Sequence, residues 1–191
     1  MTNTVTALSG DLEKGRFGET GTAGVILQEV ESFSILQIAA WPDTFTKVGK
    51  IAAKAAGVSK TPAPGEMMLG KTISLLRIEP LKFWLTSVNK SAVKAPKLED
   101  KDGCLLDLSH SRAWVKVGGE KAETLLNHFM PIDFRPSSFS ANCVVTTAFH
   151  HTGVTVWRDK NRFNLLLPRS FSVSLWEQLV ESALQYGLEV K

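Results

Sequence analysis

Apolar and polar positions alternate along much of this 191-residue chain, and the period of the alternation changes at defined points. Residues 103–133, GCLLDLSHSRAWVKVGGEKAETLLNHFMPID, show it best. Leu105, Leu106 and Leu108 form an apolar run broken by Asp107, and Ser109, His110, Ser111 and Arg112 make a polar corner. Residues 113–117, AWVKV, then follow period 2, the mark of a half-buried strand. Gly118 and Gly119 break that strand. Ala122, Leu125, Leu126 and Phe129 fall at helical spacing, which predicts a helix over 120–129 with one apolar face, ended by Pro131. The helix must fold back on the sheet to bury that face, so the unit is strand, turn, helix.

The remaining chain reads in the same terms. Residues 25–30 and 34–39 are short strands. Phe45, Val48, Ile51, Ala52 and Ala55 recur at three- and four-residue steps, predicting a helix over 44–56 with Asp43 as N-cap and Gly57 as stop. Pro62, Pro64 and Gly65 mark a rigid connector. Residues 72–78 and 82–87 are strands joined by a turn at Glu79, Pro80 and Leu81. The stretch 88–103 is polar and contains Pro96; only a short, weak helix fits there, and otherwise it is a long loop. Three strands follow at 144–150, 154–157 and 163–167, with turns at 151–153 and 158–161. Ser170 or Ser172 caps a last helix whose buried stripe is Val173, Trp176, Leu179, Val180, Ala183 and Leu184; Gly187 ends it. Strand, helix, strand, strand therefore occurs twice, in halves of about 24–102 and 103–191. Antiparallel sheet with helices on one side of each half is an α+β fold. Residues 1–23 are polar and carry Gly10, Gly15, Gly18 and Gly21, so they are expected to form a flexible arm that orders on a partner.

Composition narrows the function classes. The hydrophobic fraction is 43%, enough for a core, and five Trp and ten Phe against one Tyr supply large buried area. A net charge of +3 is too small to indicate nucleic-acid binding. Lysines between Lys90 and Lys101 read as a solvated loop. No apolar run reaches the roughly 18 residues of a membrane span, and the N-terminus lacks the basic head and apolar stretch of a secretory signal, so a cytoplasmic location is expected. The two cysteines, Cys104 and Cys143, are not in a C-x-x-C pair and are expected to be buried thiols.

Residues able to do chemistry are few. His110 stands beside Asp107 and Ser109, which suggests acid–base work. Local backbone hydrogen bonds at a strand bulge explain D-L-S-H equally well, and no distant partner completes a triad. His150 and His151 are adjacent on a strand and point to opposite faces, so they cannot readily share a metal. His128, near a helix C-terminus, suits the helix dipole. No G-x-G-x-x-G lies between a strand and a helix; Gly18 and Gly21 sit in the polar arm, so FAD or NAD binding is not expected. No catalytic residue and no metal ligand is expected on this chain.

Three phrases resemble a known family. LDLSHSRAWVKVGGEKAETLL, at residues 106–126, resembles the D-x-S-H segment of the folate-binding aminomethyltransferase superfamily, which includes the glycine cleavage T-protein. Within it, LLRIEPLKFWLTS at 75–87 and R-S-F-x-x-x-L-W-x-x-L at 169–179 resemble the gamma subunits of heterotetrameric sarcosine oxidases. The resemblance implies two ferredoxin-like halves. It also implies a helix within 88–103, which this chain either trims or replaces by a surface loop. In the aminomethyltransferases an aspartate pair that grips folate follows a glycine turn; the matching phrase, residues 152–157, has Thr155 and Val156 there. The K-G-C-Y-x-G-Q motif of another folate-binding branch is missing as well. By resemblance, then, the chain is a non-catalytic subunit of a complex that oxidatively demethylates sarcosine to glycine. The products would be hydrogen peroxide and either formaldehyde or 5,10-methylenetetrahydrofolate. FAD, FMN, NAD and tetrahydrofolate would reside on the alpha and beta subunits, with alpha the most direct partner. The alternatives are a stand-alone folate-binding or aminomethyl-transfer protein, or a scaffold for another N-methyl amine dehydrogenase.

Overall fold

The computed structural model describes residues 5–90, 92–159 and 162–191. In chain order the elements are β1 (Gly15–Phe17), β2 (Val25–Glu29), β3 (Ser34–Ala40), α1 (Phe45–Ala56), β4 (Met67–Leu69), β5 (Ser74–Glu79) and β6 (Lys82–Ser87). Then come β7 (Gly103–Asp107), β8 (Arg112–Gly118), α2 (Ala122–Asn127), β9 (Val144–Phe149), β10 (Thr152–Asp159), β11 (Arg162–Pro168), α3 (Ser172–Ala183) and β12 (Leu188–Val190). The fold is α+β, as expected. Among the described residues no helix is long and apolar enough to cross a membrane.

Two compact units emerge, and their limits differ from the halves read along the chain. One comprises residues 32–110 and 142–145; the other comprises 1–31, 111–141 and 146–191. The boundary moves because β2 pairs with β8, while β7 pairs with β3. The 103–133 stretch is therefore not one unit: β7 and β8 belong to different sheets.

In the first unit the sheet order is β4-β5-β6-β3-β7. Period-2 positions Leu36, Ile38 and Ala40 of β3 and Phe83 and Leu85 of β6 line one face with Leu75 of β5. Helix α1 covers that face with Val48, Ala52, Ala53 and Ala56. Its small residues let the helix lie close to the strands. The helix ends as Gly57 predicts: Gly57 has φ 70°, its N–H donates to Lys54 O at 3.1 Å, and the Val58 N–H donates to Ala53 O at 3.0 Å. That pair of bonds is a Schellman cap. The start differs from expectation. Residues 42–44 form a 3-10 turn, Thr44 occupies the N-cap, and Asp43 does not cap. The Thr44 hydroxyl donates instead to Asp102 O at 2.5 Å, and Lys47 reaches the buried Asp102 carboxylate at 2.6 Å. These bonds fasten the loop over 88–103 to the helix start. That stretch is a loop among its described residues, and Ala92, Val93 and Leu98 pack against the core in place of a covering helix.

The second unit has the order β1-β12-β2-β8-β11-β10-β9. The pairs β1–β12, β2–β8, β8–β11 and β10–β11 are antiparallel, whereas β12 pairs with β2 in parallel. This departs from the all-antiparallel expectation because the chain, after α3, re-enters the sheet between β1 and β2. Helix α3 buries Leu175, Trp176, Leu179 and Ala183. Val173 and Val180 are half-buried and Leu184 is 37% exposed, so the stripe is narrower than read. No side chain caps the helix; Ser172 Oγ donates back to Arg169 O at 2.8 Å. Helix α2 is shorter than expected, because Gly119, at φ 100°, turns the chain late; a Cβ there would lie 2.3 Å from Gly24 O. Arg158 and Asp159 continue β10 rather than turning, and the rest of that expected turn, Lys160 and Asn161, lies outside the described residues.

Residues 5–23 are not a free arm in this structure; residues 1–4 lie outside the described ones. Leu8 is fully buried. The buried Glu29 carboxylate accepts the Thr6 hydroxyl at 2.9 Å and the Leu8 N–H at 3.3 Å. Strand β1 pairs with β12. A polar segment with one well-placed leucine docks here because a buried carboxylate and a sheet edge satisfy its backbone. Burial pushes the Glu29 carboxyl above its ordinary value of 4.5, with Thr6 and Leu8 opposing.

Each sheet also holds an indole–amide hydrogen bond. Trp84 Nε1 on β6 donates to Gln37 Oε1 on β3 at 3.0 Å. Trp114 Nε1 on β8 donates to Asn164 Oδ1 on β11 at 2.9 Å, with both residues buried. Trp157 packs edge-on against Trp114 at 5.2 Å.

Two outcomes are expected in urea unfolding. Trp114→Phe costs about 1–3 kcal/mol, because the Asn164 carbonyl loses a buried donor, and W114F/N164L recovers part of that loss. Glu29, with its raised folded value, contributes most below pH 4.5 and loses that contribution as the pH rises through the folded value. The stability advantage of wild type over Glu29→Gln therefore shrinks between pH 4.5 and pH 7; an advantage that grows instead contradicts the assignment.

Candidate functional site

The D-L-S-H corner forms where β7 ends. Asp107 Oδ1 accepts the Ser109 N–H at 2.8 Å, closing an Asx turn. Ser109 Oγ accepts the Ile35 N–H at 3.0 Å, and the Leu108 N–H donates to Ile35 O at 2.9 Å. Asp107 and Ser109 thus extend the β3–β7 ladder past its last backbone pair. The Ser109 hydroxyl, and then its N–H, hold the Asp107 carboxyl below the ordinary range, with His110 assisting. His110 is exposed. A cleft of about 250 Å³ opens beside the corner, lined by Ser34, Ile35, Lys90, Val93, Asp107 and His110, among others. The structural account of the motif fits: two of its three polar side chains hold the turn, and they do not form a relay through His110.

Two other histidines lie in separate surroundings. His128 follows α2, and its Nε2 lies 3.3 Å from the Tyr186 hydroxyl. His150 occupies the β9–β10 turn at φ 51° and meets the Phe129 ring edge-on at 5.4 Å. Phe129 in turn stacks on Phe149 at 4.6 Å. Among the described residues no group of three His, Cys, Asp or Glu side chains is placed to hold a metal. Cys104 is exposed on the edge strand β7, contrary to the expected burial, and Cys143 is half-buried; neither is in a disulfide. Alternation along β7 turns Leu105 toward the core under α1 and Cys104 to the opposite face of the sheet.

Thr155 and Val156 lie within β10, opposite Leu166 and Leu165 of β11. Both are buried, and the Thr155 hydroxyl lies 3.0 Å from that of Thr146 on β9. These two positions therefore present one hydroxyl, engaged by a neighbouring strand, and one isopropyl group.

Sequence reading missed the charged feature of the second unit. Arg158, three residues further along β10, forms an ion pair with Glu123 of α2 and donates to Phe134 O at 3.2 Å. Its guanidinium lies 4.7 Å from the centre of the Phe163 ring. A cleft of about 470 Å³ adjoins it, lined also by Gly119, Glu120, Ala122 and Pro136. Thirty-five residues separate the two partners, and no periodic pattern marks either.

No family model matches the chain. Over 74 residues it is 30% identical to the sarcosine oxidase subunit gamma of an Arthrobacter species. That stretch is 39% of this chain and spans 36% of the relative's length. Among solved structures, a chain of the heterotetrameric sarcosine oxidase from Corynebacterium sp. U-96, in complex with pyrrole 2-carboxylate, superposes with a TM-score of 0.76. The match covers 97% of both chains at 22% identity. The glycine cleavage system aminomethyltransferase T from Bartonella henselae superposes with a TM-score of 0.65 at 14% identity, over 88% of this chain and 48% of that one. The resemblance carried by the three sequence phrases is borne out: the chain is similar to a sarcosine oxidase gamma subunit and shares the fold of both solved relatives.

The Asp107 turn yields a test. A carboxyl held low in the folded state contributes above its ordinary value of 3.8 and stops contributing as the pH falls through the folded value. Asp107→Asn is expected to lower the urea midpoint at pH 7, with the difference from wild type shrinking as the pH falls below 3.8, whereas His110→Ala has the smaller effect. A larger loss from H110A than from D107N contradicts the structural role.

Proposed function

We propose that this chain is the gamma-type subunit of a heterotetrameric sarcosine oxidase, and that it contributes structure to the complex and no catalytic residue. The observation that carries the reading is the shared fold over 97% of both this chain and its Corynebacterium counterpart. The identity to the Arthrobacter gamma subunit supports it. Membership of such a complex accounts for the scarcity of candidate chemistry. Asp107 and Ser109 of D-L-S-H are engaged in a turn, His110 is exposed, and Thr155 and Val156 cannot act as carboxylates.

In this reading the complex works in the cytoplasm. It oxidises sarcosine to an iminium whose one-carbon unit leaves as formaldehyde or passes to tetrahydrofolate, with oxygen reduced to hydrogen peroxide. FAD, FMN, NAD and tetrahydrofolate belong to the larger subunits, and the alpha subunit is the direct neighbour. Exposed apolar side chains such as Trp41, Leu106 and Phe171 are available as anchors. A stand-alone folate-binding or aminomethyl-transfer protein is the second reading, favoured by the fold shared with the aminomethyltransferase.

Affinity purification of the tagged chain from its host distinguishes them. The expected result is a yellow complex containing two larger flavin-bearing chains that consumes sarcosine and oxygen and releases peroxide, while the separated chain is colourless and inactive. Recovery of the chain alone, with micromolar tetrahydrofolate binding by calorimetry, would refute the subunit reading and support the second.

A further inference from the structure

The cleft beside Arg158 holds a partly filled binding fork. Arg158 sits near the end of β10 with its side chain only 11% exposed, against 35% for Glu123. One nitrogen, Nη2, carries both the Glu123 contact and the bond to Phe134 O. The neighbouring Nε is buried and has no hydrogen-bond partner among the described residues. Nε and Nη2 together form the edge of a guanidinium that matches the two oxygens of a carboxylate. Glu123 engages Nη2 of that edge and not Nε.

We propose that Arg158 anchors a small monocarboxylate and that Glu123 is a tethered carboxylate which the ligand displaces. The geometry favours displacement. Glu123 lies in the six-residue helix α2 and is partly exposed, so it can swing into solvent and be hydrated there. Arg158 cannot follow, since Phe163 lies beneath its guanidinium and Phe134 O fixes Nη2. A bidentate ligand satisfies the orphaned Nε that Glu123 leaves unmet. Phe163, Ala122 and Pro136 give the cleft apolar walls, and Gly119 presents no side chain to it. At about 470 Å³ it accommodates a ring-sized molecule. Glu120 stands exposed on the rim, and its charge disfavours dianions. The site does not depend on the subunit reading: it can fail while the purified complex behaves as described, and the reverse.

The probe is sodium benzoate, titrated into the full ¹⁵N-labelled chain, with sodium chloride at equal ionic strength as control. The readouts are the arginine Nε–H signals and the dissociation constant. Wild type is expected to bind saturably, on the order of millimolar, and to shift one Nε–H signal that is absent from Arg158→Gln. Glu123→Gln, which removes the competing charge, is expected to tighten binding about tenfold. R158Q, with unchanged circular dichroism, is expected not to bind. Binding by E123Q no tighter than by wild type overturns the proposal, as does benzoate titrating R158Q like wild type. Should R158Q not fold, the E123Q comparison decides alone.

Discussion

A buried indole must find an acceptor for its N–H, and both sheets are built around that requirement. Trp84 meets it with Gln37 directly across the β3–β6 pair; Trp114 meets it with Asn164 across β8–β11. In each case the bond joins two strands in the interior of the sheet order, so it fixes register where a slip would turn every side chain to the wrong face. Polar side chains are costly inside a core unless paired, and a pair with one correct geometry specifies one arrangement. The echo between the halves is thus physical: a tryptophan, a side-chain amide and a strand pair recur, while the sequence around them does not.

The same logic explains the corner that looks most like chemistry. Where β7 stops, the backbone ladder to β3 would end at Asp107 and leave Ile35 short of a partner. Ser109 supplies an acceptor, Asp107 holds the turn that places Ser109, and His110 is left in solvent. An Asp, a Ser and a His within four residues can be a relay or a fastening; the direction of their hydrogen bonds here is that of a fastening.

Arg158 and Glu123 are a different kind of polar pair. Each strand-locking amide oxygen accepts an indole N–H, whereas Arg158 Nε has no partner among the described residues. Incomplete satisfaction of a nearly buried arginine is uncommon in a purely structural ion pair, where desolvation has to be offset by every available bond. Arg77 Nε is likewise without a partner among the described residues, so what distinguishes Arg158 is the cleft that it lines.

Periodicity along the chain determined most of the regular elements. The strands β2, β3, β5, β6, β8, β9, β10 and β11 and the helices α1 and α3 follow from period 2 and period 3.6, and Gly57 and Gly187 mark stops that need a left-handed residue. The three family phrases carried the fold class by resemblance, independently of the period. Short strands such as β1, β4 and β12 were illegible, because three residues cannot show a period and their place comes from a neighbour's edge. Only the tertiary structure decided that β7 and β8 part company, that a polar N-terminal segment packs on Glu29, and that Arg158 meets Glu123. Each joins residues distant in the chain through burial or charge, and neither leaves a periodic trace in the order of the amino acids.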